Sequence, residues 1–366
     1  MGRLLDEFVR SRTEEGKPVA QLWYYPVPAD FAVFLSHDVD EIAWSWRRKL
    51  FMGALHPSTL REKRERYWNF SRIKALEEAA HVRSTFYIVP FGSHPRDPPY
   101  SFETLVPTVH DLTRGGWEVG VHASFESFDR PQMLAAQKRA FESAVGKPAL
   151  GVRQHFINFA PQATWEYQER AGFEYDSTLA NRDRAGFRTG FCHPYRPPGR
   201  RLIEIPLVIM DGQLFWYEKR DPQSAYERTM ALVRRTAEYH GVASLNWHQH
   251  TMDELSFPGW WEVFERCLKD LTAMRPWFAR GMDLAAWWNR RLRIDFHEKV
   301  LSPGGGSWTL MDEGGGPATV RLISPEHRDL KVAVDGTDEF EARRRGREIW
   351  IAFRELPRRP VRIDVG

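Results

Sequence analysis

Between residues 33 and 248, short apolar runs alternate with stretches of helical periodicity, and this alternation limits the fold more than any other feature of the chain. The runs at 33–36, 84–91, 117–122, 151–156, 202–210 and 243–248, with a weaker one near 173–177, have the length and β-branched or aromatic content of buried strands. In the stretches between them, Tyr226, Met230, Val233 and Ala237 follow spacings of four, three and four, and Met133, Ala136, Ala140 and Ala144 trace a similar stripe. Gly115-Gly116, Gly172 and Gly241 interrupt the helical pattern just before the next strand. Repeated βα units imply a mostly parallel sheet covered by helices. About seven units favour a barrel, and barrels of this kind gather their chemistry at the carboxyl ends of the strands.

After Trp287-Trp288 the pattern changes. Breakers at 302–306 and 314–317 separate short alternating runs at 307–310, 319–323, 331–334, 348–353 and 361–365. The expected organisation is therefore an α/β barrel domain over residues 1–295 and a small all-β, sandwich-like accessory domain over 296–366. Arg343–Arg345 reads as a solvated turn.

Composition narrows the function classes. A hydrophobic content of 42% with 13% aromatics fills a core and excludes wholesale disorder. Lys+Arg 52 against Asp+Glu 49 is too balanced for a nucleic-acid footprint. Two cysteines, Cys192 and Cys267, are too few for a disulfide scaffold or a thiolate metal site, as expected in a reducing compartment. The first residues turn charged at Arg3, Asp6 and Glu7, and no apolar run has spanning length. No signal peptide or membrane span is expected, and the location expected is cytoplasmic. Most of the fifteen tryptophans are expected in cores, with a few at a pocket mouth where they can stack on sugar rings. Residues 44–67 are locally basic, through Arg47, Arg48, Lys49, Arg61, Lys63, Arg64 and Arg66. They form either a solvated helical face or a device that steers an anionic substrate.

The candidate chemistry lies at the strand ends. Ser36-His37-Asp38-Val39-Asp40 follows the apolar run 31–35, so Asp38 and Asp40, two apart, are expected on one side of the chain. Two carboxylates that close require a metal or a proton between them. His122, His155 and His248 fall at the expected carboxyl ends of three other strands.

These residues resemble the polysaccharide deacetylases (NodB homology, carbohydrate esterase family 4). The similarity runs in order through Leu35-Ser36-His37-Asp38-Val39-Asp40, Ser84-Thr85-Phe86-Tyr87, the segment 116–122 ending at His122, Gly151-Val152-Arg153, the segment 173–178 with Asp176-Ser177, Ile203-Glu204-Ile205-Pro206 and Leu245-Asn246-Trp247-His248. The first motif is in the variant with one residue between its aspartates. The resemblance implies a distorted (β/α)7 barrel and a metal-dependent hydrolase of carbon–nitrogen bonds in linear amides, most simply removing an N-acetyl group from an amino sugar in a polysaccharide or its precursor. It further implies Asp38 as general base, a metal-bound water as nucleophile, Asp40 and His122 as metal ligands, Arg153 as the partner that orients Asp38, and His248 as the acid that protonates the leaving amine. Zn2+ suits such an Asp/His set.

One position departs from the family pattern. Where a second metal histidine is usual, four residues after His122, this chain has Glu126. His155, in the segment Arg153-Gln154-His155, is the expected third ligand. Glu126 as a carboxylate ligand, or loss of the metal, are the alternatives, and the last would leave a glycan-binding protein without catalysis. A glycosyltransferase reading of the Asp-x-Asp pair leaves His122, Arg153 and His248 without a role.

Overall fold

The computed structural model describes residues 2–61, 65–302, 305–325 and 330–366. Lys63, Arg64 and the breaker Pro303-Gly304 lie outside the described residues. The chain divides into two compact units, Phe31–Ala285 and Met1–Asp30 together with Ala286–Gly366.

The first unit is the βα repeat. Its strands, in chain order, are β1 (Ala32–Val39), β2 (Thr85–Ile88), β3 (Glu118–Ala123), β4 (Gly151–Gln154), β5 (Tyr175–Asp176), β6 (Ile203–Glu204), β7 (Ile209–Met210), β8 (Val242–Asn246) and β9 (Trp277–Phe278). All pair in parallel, in the order β6-β5-β4-β3-β2-β1-β8-β7, with β9 on the free edge of β1 at Ala32–Val33. All eight residues of β1 are buried, as a strand covered on both faces requires.

The two ends of this path belong to one stretch of chain. The run 202–210, expected as one strand, is split because Pro206 has no N–H to give to a ladder. Its first half pairs with β5 and its second with β8. Between them Leu207 N–H donates to Leu179 O (3.2 Å) and Val208 N–H to Ser244 Oγ (2.9 Å). The sheet thereby returns on itself, and the seven staves are those of a distorted (β/α)7 barrel.

Helices close the units as the punctuation predicts. The helix Val106–Arg114 stops at Gly115, with Gly116 in the left-handed region (φ 92°), and Ala163–Ala171 ends on Gly172 (φ 85°). The helix Pro222–Glu238 starts on Asp221, whose carboxylate accepts from the N–H groups of Gln223 and Ser224 (3.0 and 3.1 Å). Its left-handed exit is His240, not Gly241. Gly241 is needed for space: a Cβ there would lie 2.2 Å from Cys192 Sγ and 3.0 Å from the Cys192 carbonyl oxygen. Gly241→Ala should therefore destabilise the barrel by about 1–3 kcal/mol in urea unfolding. A loss below about 0.5 kcal/mol would show that the loop at Cys192 yields freely.

The second unit contains two antiparallel four-stranded sheets. One runs Val19–Leu22, Gly316–Ile323, Glu348–Leu356, Phe340–Arg345, and the other Asp295–Ser302, Gly305–Met311, Val361–Val365, Val332–Asp335. Trp308, Leu310, Val320, Leu322, Ile351, Phe353 and Ile363 are buried here. Two features differ from expectation. Residues 1–30 and 286–295, assigned from sequence to the barrel, fall in this unit, because Val19–Leu22 pairs with Val320–Ile323. The arginines 343–345 lie on an edge strand, where exposed charge opposes edge-to-edge association, rather than in a turn. Among the described residues no helix is long and apolar enough to cross a membrane.

Candidate active site

Strand alternation sorts the first motif. Ser36 and Asp38 point into the barrel, where both accept from Arg153 Nη1 at 2.9 Å. His37 points the other way, with Nδ1 2.7 Å from Trp247 O and Nε2 3.0 Å from Glu77 Oε1. The second oxygen of Asp38 accepts from Asn246 Nδ2 at 2.8 Å. Burial pushes the Asp38 carboxyl up, but Arg153 first and then His122 outweigh it and hold the group below the usual carboxylate range. Arg153 is itself fully buried, donates from Nε to Ser177 O (2.8 Å) and from Nη2 to Ser177 Oγ (3.0 Å), and lies 4.5 Å over the Tyr87 ring.

Asp40, just beyond β1, reaches the same place. Its Oδ1 lies 3.4 Å from His122 Nε2 and 3.6 Å from His155 Nε2, and its Oδ2 lies 3.5 Å from His248 Nε2. Asp40, His122 and His155 offer ligand atoms all within 4.8 Å of one another. Second partners aim the two imidazoles. His122 Nδ1–H donates to Arg153 O at 2.9 Å, which leaves the Nε2 lone pair toward Asp40. His155 Nδ1 faces Asp97 Oδ1 at 3.6 Å, and Asp97 is fixed by the N–H groups of Phe125 (2.7 Å) and His94 (2.9 Å). The chain leaves His155 abruptly, with Phe156 and Ile157 both in the left-handed region (φ 57° and 48°). For a β-branched residue this conformation costs on the order of 1–2 kcal/mol, a strain localised beside the site.

Asp40 Oδ1 is buried without a hydrogen-bond partner, as is His155 Nδ1. Burial raises the Asp40 carboxyl, yet His155 and the other imidazoles hold it well below its ordinary value. Burial lowers His155, and Asp40 followed by Asp97 drives it up to about 9. An anionic oxygen and two aimed imidazole nitrogens that satisfy each other only at 3.4–3.6 Å form a donor set that fits a divalent cation.

Opposite Asp38 stands His248. Its Nδ1–H donates to Asp211 Oδ1 at 2.6 Å, while Asp211 Oδ2 accepts from His248 N–H (2.9 Å) and Thr251 Oγ1 (2.7 Å). Burial works against its charge, but Asp211 and then Asp40 raise His248 to about 10. His250 is buried beside it, and burial with the neighbouring His248 lowers it to about 4.

Asp38, Asp40, His122, His155, His248 and His250 line a cleft of about 620 Å³ that also takes in Glu41, Arg48, Arg96, Arg182, Trp216 and Tyr217, with Arg153 and Asp211 supporting it from behind. Trp216 is 42% exposed there, while most tryptophans are in cores. Asp38, Asp40, His122, Arg153, His155 and His248 thus converge. Glu126 does not: its carboxylate is taken by Arg130 in a bidentate pair (2.9 and 3.0 Å), and it does not line the cleft. Sequence reasoning passed over Asp211, Asn246, Ser177 and Asp97. The first two stand at strand carboxyl ends and could have been found by the address that found Asp38. Asp97 sits in a Pro-rich loop and carries no periodic signal.

No family model matches the sequence, and no curated protein matches it. Solved structures do match. A protein assigned as a polysaccharide deacetylase from Mycobacterium smegmatis aligns over 74% of this chain and 94% of its own, with a TM-score of 0.53 and 19% identity. The chain has the polysaccharide deacetylase fold. A second deacetylase-assigned protein, from Pseudomonas aeruginosa PAO1, gives a TM-score of 0.53 at 15% identity over 74% of this chain and 94% of its own. Puue allantoinase gives 0.52 at 15% over 73% and 93%.

Proposed function

We propose that this deacetylase-fold chain is a metal-dependent amide hydrolase of the polysaccharide deacetylase family that removes the N-acetyl group from an amino sugar. Residues 31–285 are its catalytic unit, and the β unit is an accessory module. The observation that carries this reading is the arrangement of Asp40 between His122 and His155, flanked on one side by the Arg153-bound Asp38 and on the other by the Asp211-bound His248.

Asp40, His122 and His155 would hold the ion, with Zn2+ the best match to one carboxylate and two imidazoles. When bound, the ion supplies Lewis acidity toward the acyl oxygen and acidifies water beside it. The chain's own residues do the proton work. Asp38, kept ionised by Arg153, takes a proton from the attacking water, and Asn246 fixes the carboxylate plane. His248, kept protonated by Asp211, faces the cleft through Nε2 and delivers a proton to the departing nitrogen, without which an amine is a poor leaving group. Trp216 and Tyr217 at the rim offer flat apolar faces for a sugar ring.

The test is metal content together with acetate release from N-acetylhexosamine oligomers. His155→Ala should lower bound zinc roughly tenfold or more, and Glu126→Ala should leave it unchanged. If neither substitution changes the metal content, the ligand set is wrong. If the metal-loaded protein binds oligomers but releases no acetate, the chain is a glycan-binding protein on this fold.

A further inference from the structure

The four most exposed large apolar side chains among the described residues lie on one short helix. In Trp46–Leu55, Trp46 is 67% exposed, Leu50 63%, Phe51 64% and Leu55 58%. At 3.6 residues per turn these four and Ala54 sweep about half the helix circumference. Arg47 is the one charged residue within that arc; Lys49 borders it on one side, its Nζ 2.8 Å from Glu65 Oε1, and Arg48 on the other, its guanidinium over the Tyr67 and Phe257 rings. The helix is held from its other side: Met52 and Gly53 are buried, and Met52 packs in a cluster with Trp44 and Tyr67. At its start Ser45 Oγ accepts from Arg48 N–H at 3.3 Å. The outer face is thus a built surface on an anchored helix, and nothing among the described residues covers it.

We propose that this helix seats the barrel on the surface of an anionic lipid bilayer. Tryptophan, phenylalanine and leucine on one face, bordered by cations, form the pattern of a helix that lies in a membrane interface, the apolar side chains entering the acyl boundary and the cations meeting headgroup phosphates. Four side chains on ten residues are far fewer than the roughly 20–30 residues per side of a stable protein–protein interface, which disfavours a protein partner. The exposed Arg47 stands among the apolar side chains and the helix carries no acidic residue, and this complementarity selects a negatively charged surface. Position adds a consequence. Ser45 and Arg48 line the catalytic cleft, so a bilayer contacting this helix lies beside the cleft mouth. The cleft would then work on sugars held at a membrane surface.

This docking is independent of the proposed hydrolysis, because binding is read without turnover. The full chain is co-sedimented with vesicles of phosphatidylcholine alone and of phosphatidylcholine containing phosphatidylglycerol. Binding is expected only to the anionic vesicles, and it should weaken with added salt. Trp46→Ser and Phe51→Ser should each weaken it roughly tenfold, and Arg47→Glu about fivefold or more. All three positions are exposed, so these variants should keep the parent's Tm, and circular dichroism confirms that the protein is folded. No binding to anionic vesicles, equal binding to both vesicle types, or binding indifferent to Trp46→Ser and Phe51→Ser would each overturn the proposal. A lipid-independent dimer that Phe51→Ser dissolves in analytical ultracentrifugation would overturn it as well.

Discussion

His248→Gln is expected to lower acetate release about 10²–10⁴-fold, the usual contribution of a positioned general acid, while leaving bound metal unchanged. The subtler variant is Asp211→Asn. Burial alone drives the His248 imidazole toward its neutral form, and the Asp211 carboxylate 2.6 Å away reverses this. A general acid acts only below its pKa, so a raised pKa puts the alkaline limb of the pH–rate profile above neutrality. Replacing Asp211 by the neutral amide lets burial prevail, and the limb should move to lower pH. The rate at pH 8 should then fall by a larger factor than the rate at pH 6. A purely structural Asp211 would depress both rates alike and leave the limb where it was, which would remove the acid role from His248.

Much of this site was legible because the fold imposes an address. A parallel strand buried on both faces must be apolar along its length, so a charged or imidazole residue at its carboxyl end stands out, as Asp38, His122 and His248 do. The position of Glu126 away from the cleft also had a local clue. Glu126 stands four residues before Arg130, a spacing at which opposite charges meet, and the structure pairs them. What failed to show in the sequence was non-local or brief. Val19–Leu22 finds its partner at Val320–Ile323, so nothing near either segment announces the pair. Strand β9 has two residues, too few for a period. Asp97 is placed by the N–H of His94 in its own loop and by that of Phe125, twenty-eight residues on, and the second contact has no local sequence pattern. Pro206 was visible, yet its consequence, one run serving both ends of the sheet, emerges only when the barrel closes.

Arg153→Met should destabilise the barrel by about 3–5 kcal/mol, the range for breaking a buried ion pair from one side. The guanidinium is fully buried and gives four hydrogen bonds, two of them to Ser177, one to Ser36 and one to Asp38. Methionine fills part of the volume but leaves the Asp38 carboxylate buried beside Asp40 with Asn246 as its remaining donor. The pH dependence identifies the charge as the cause. In the parent, the Asp38 carboxyl is held below its unfolded value, so its contribution to stability is present at neutral pH and is lost as pH falls through the folded value. Without Arg153, burial dominates and the folded carboxyl rises above its unfolded value. The variant's folded state then binds a proton that the unfolded chain has released, and its stability declines as pH rises from the unfolded value to the new folded one. The deficit against the parent should therefore be larger at pH 8 than at pH 5 in urea unfolding. Arg153→Lys restores a positive charge without the planar fork, so it should recover part of the pH 8 deficit but not the bonds to Ser177. A deficit equal at both pH values would mean that Arg153 acts through packing and its serine contacts, and that Asp38 does not depend on it for its charge.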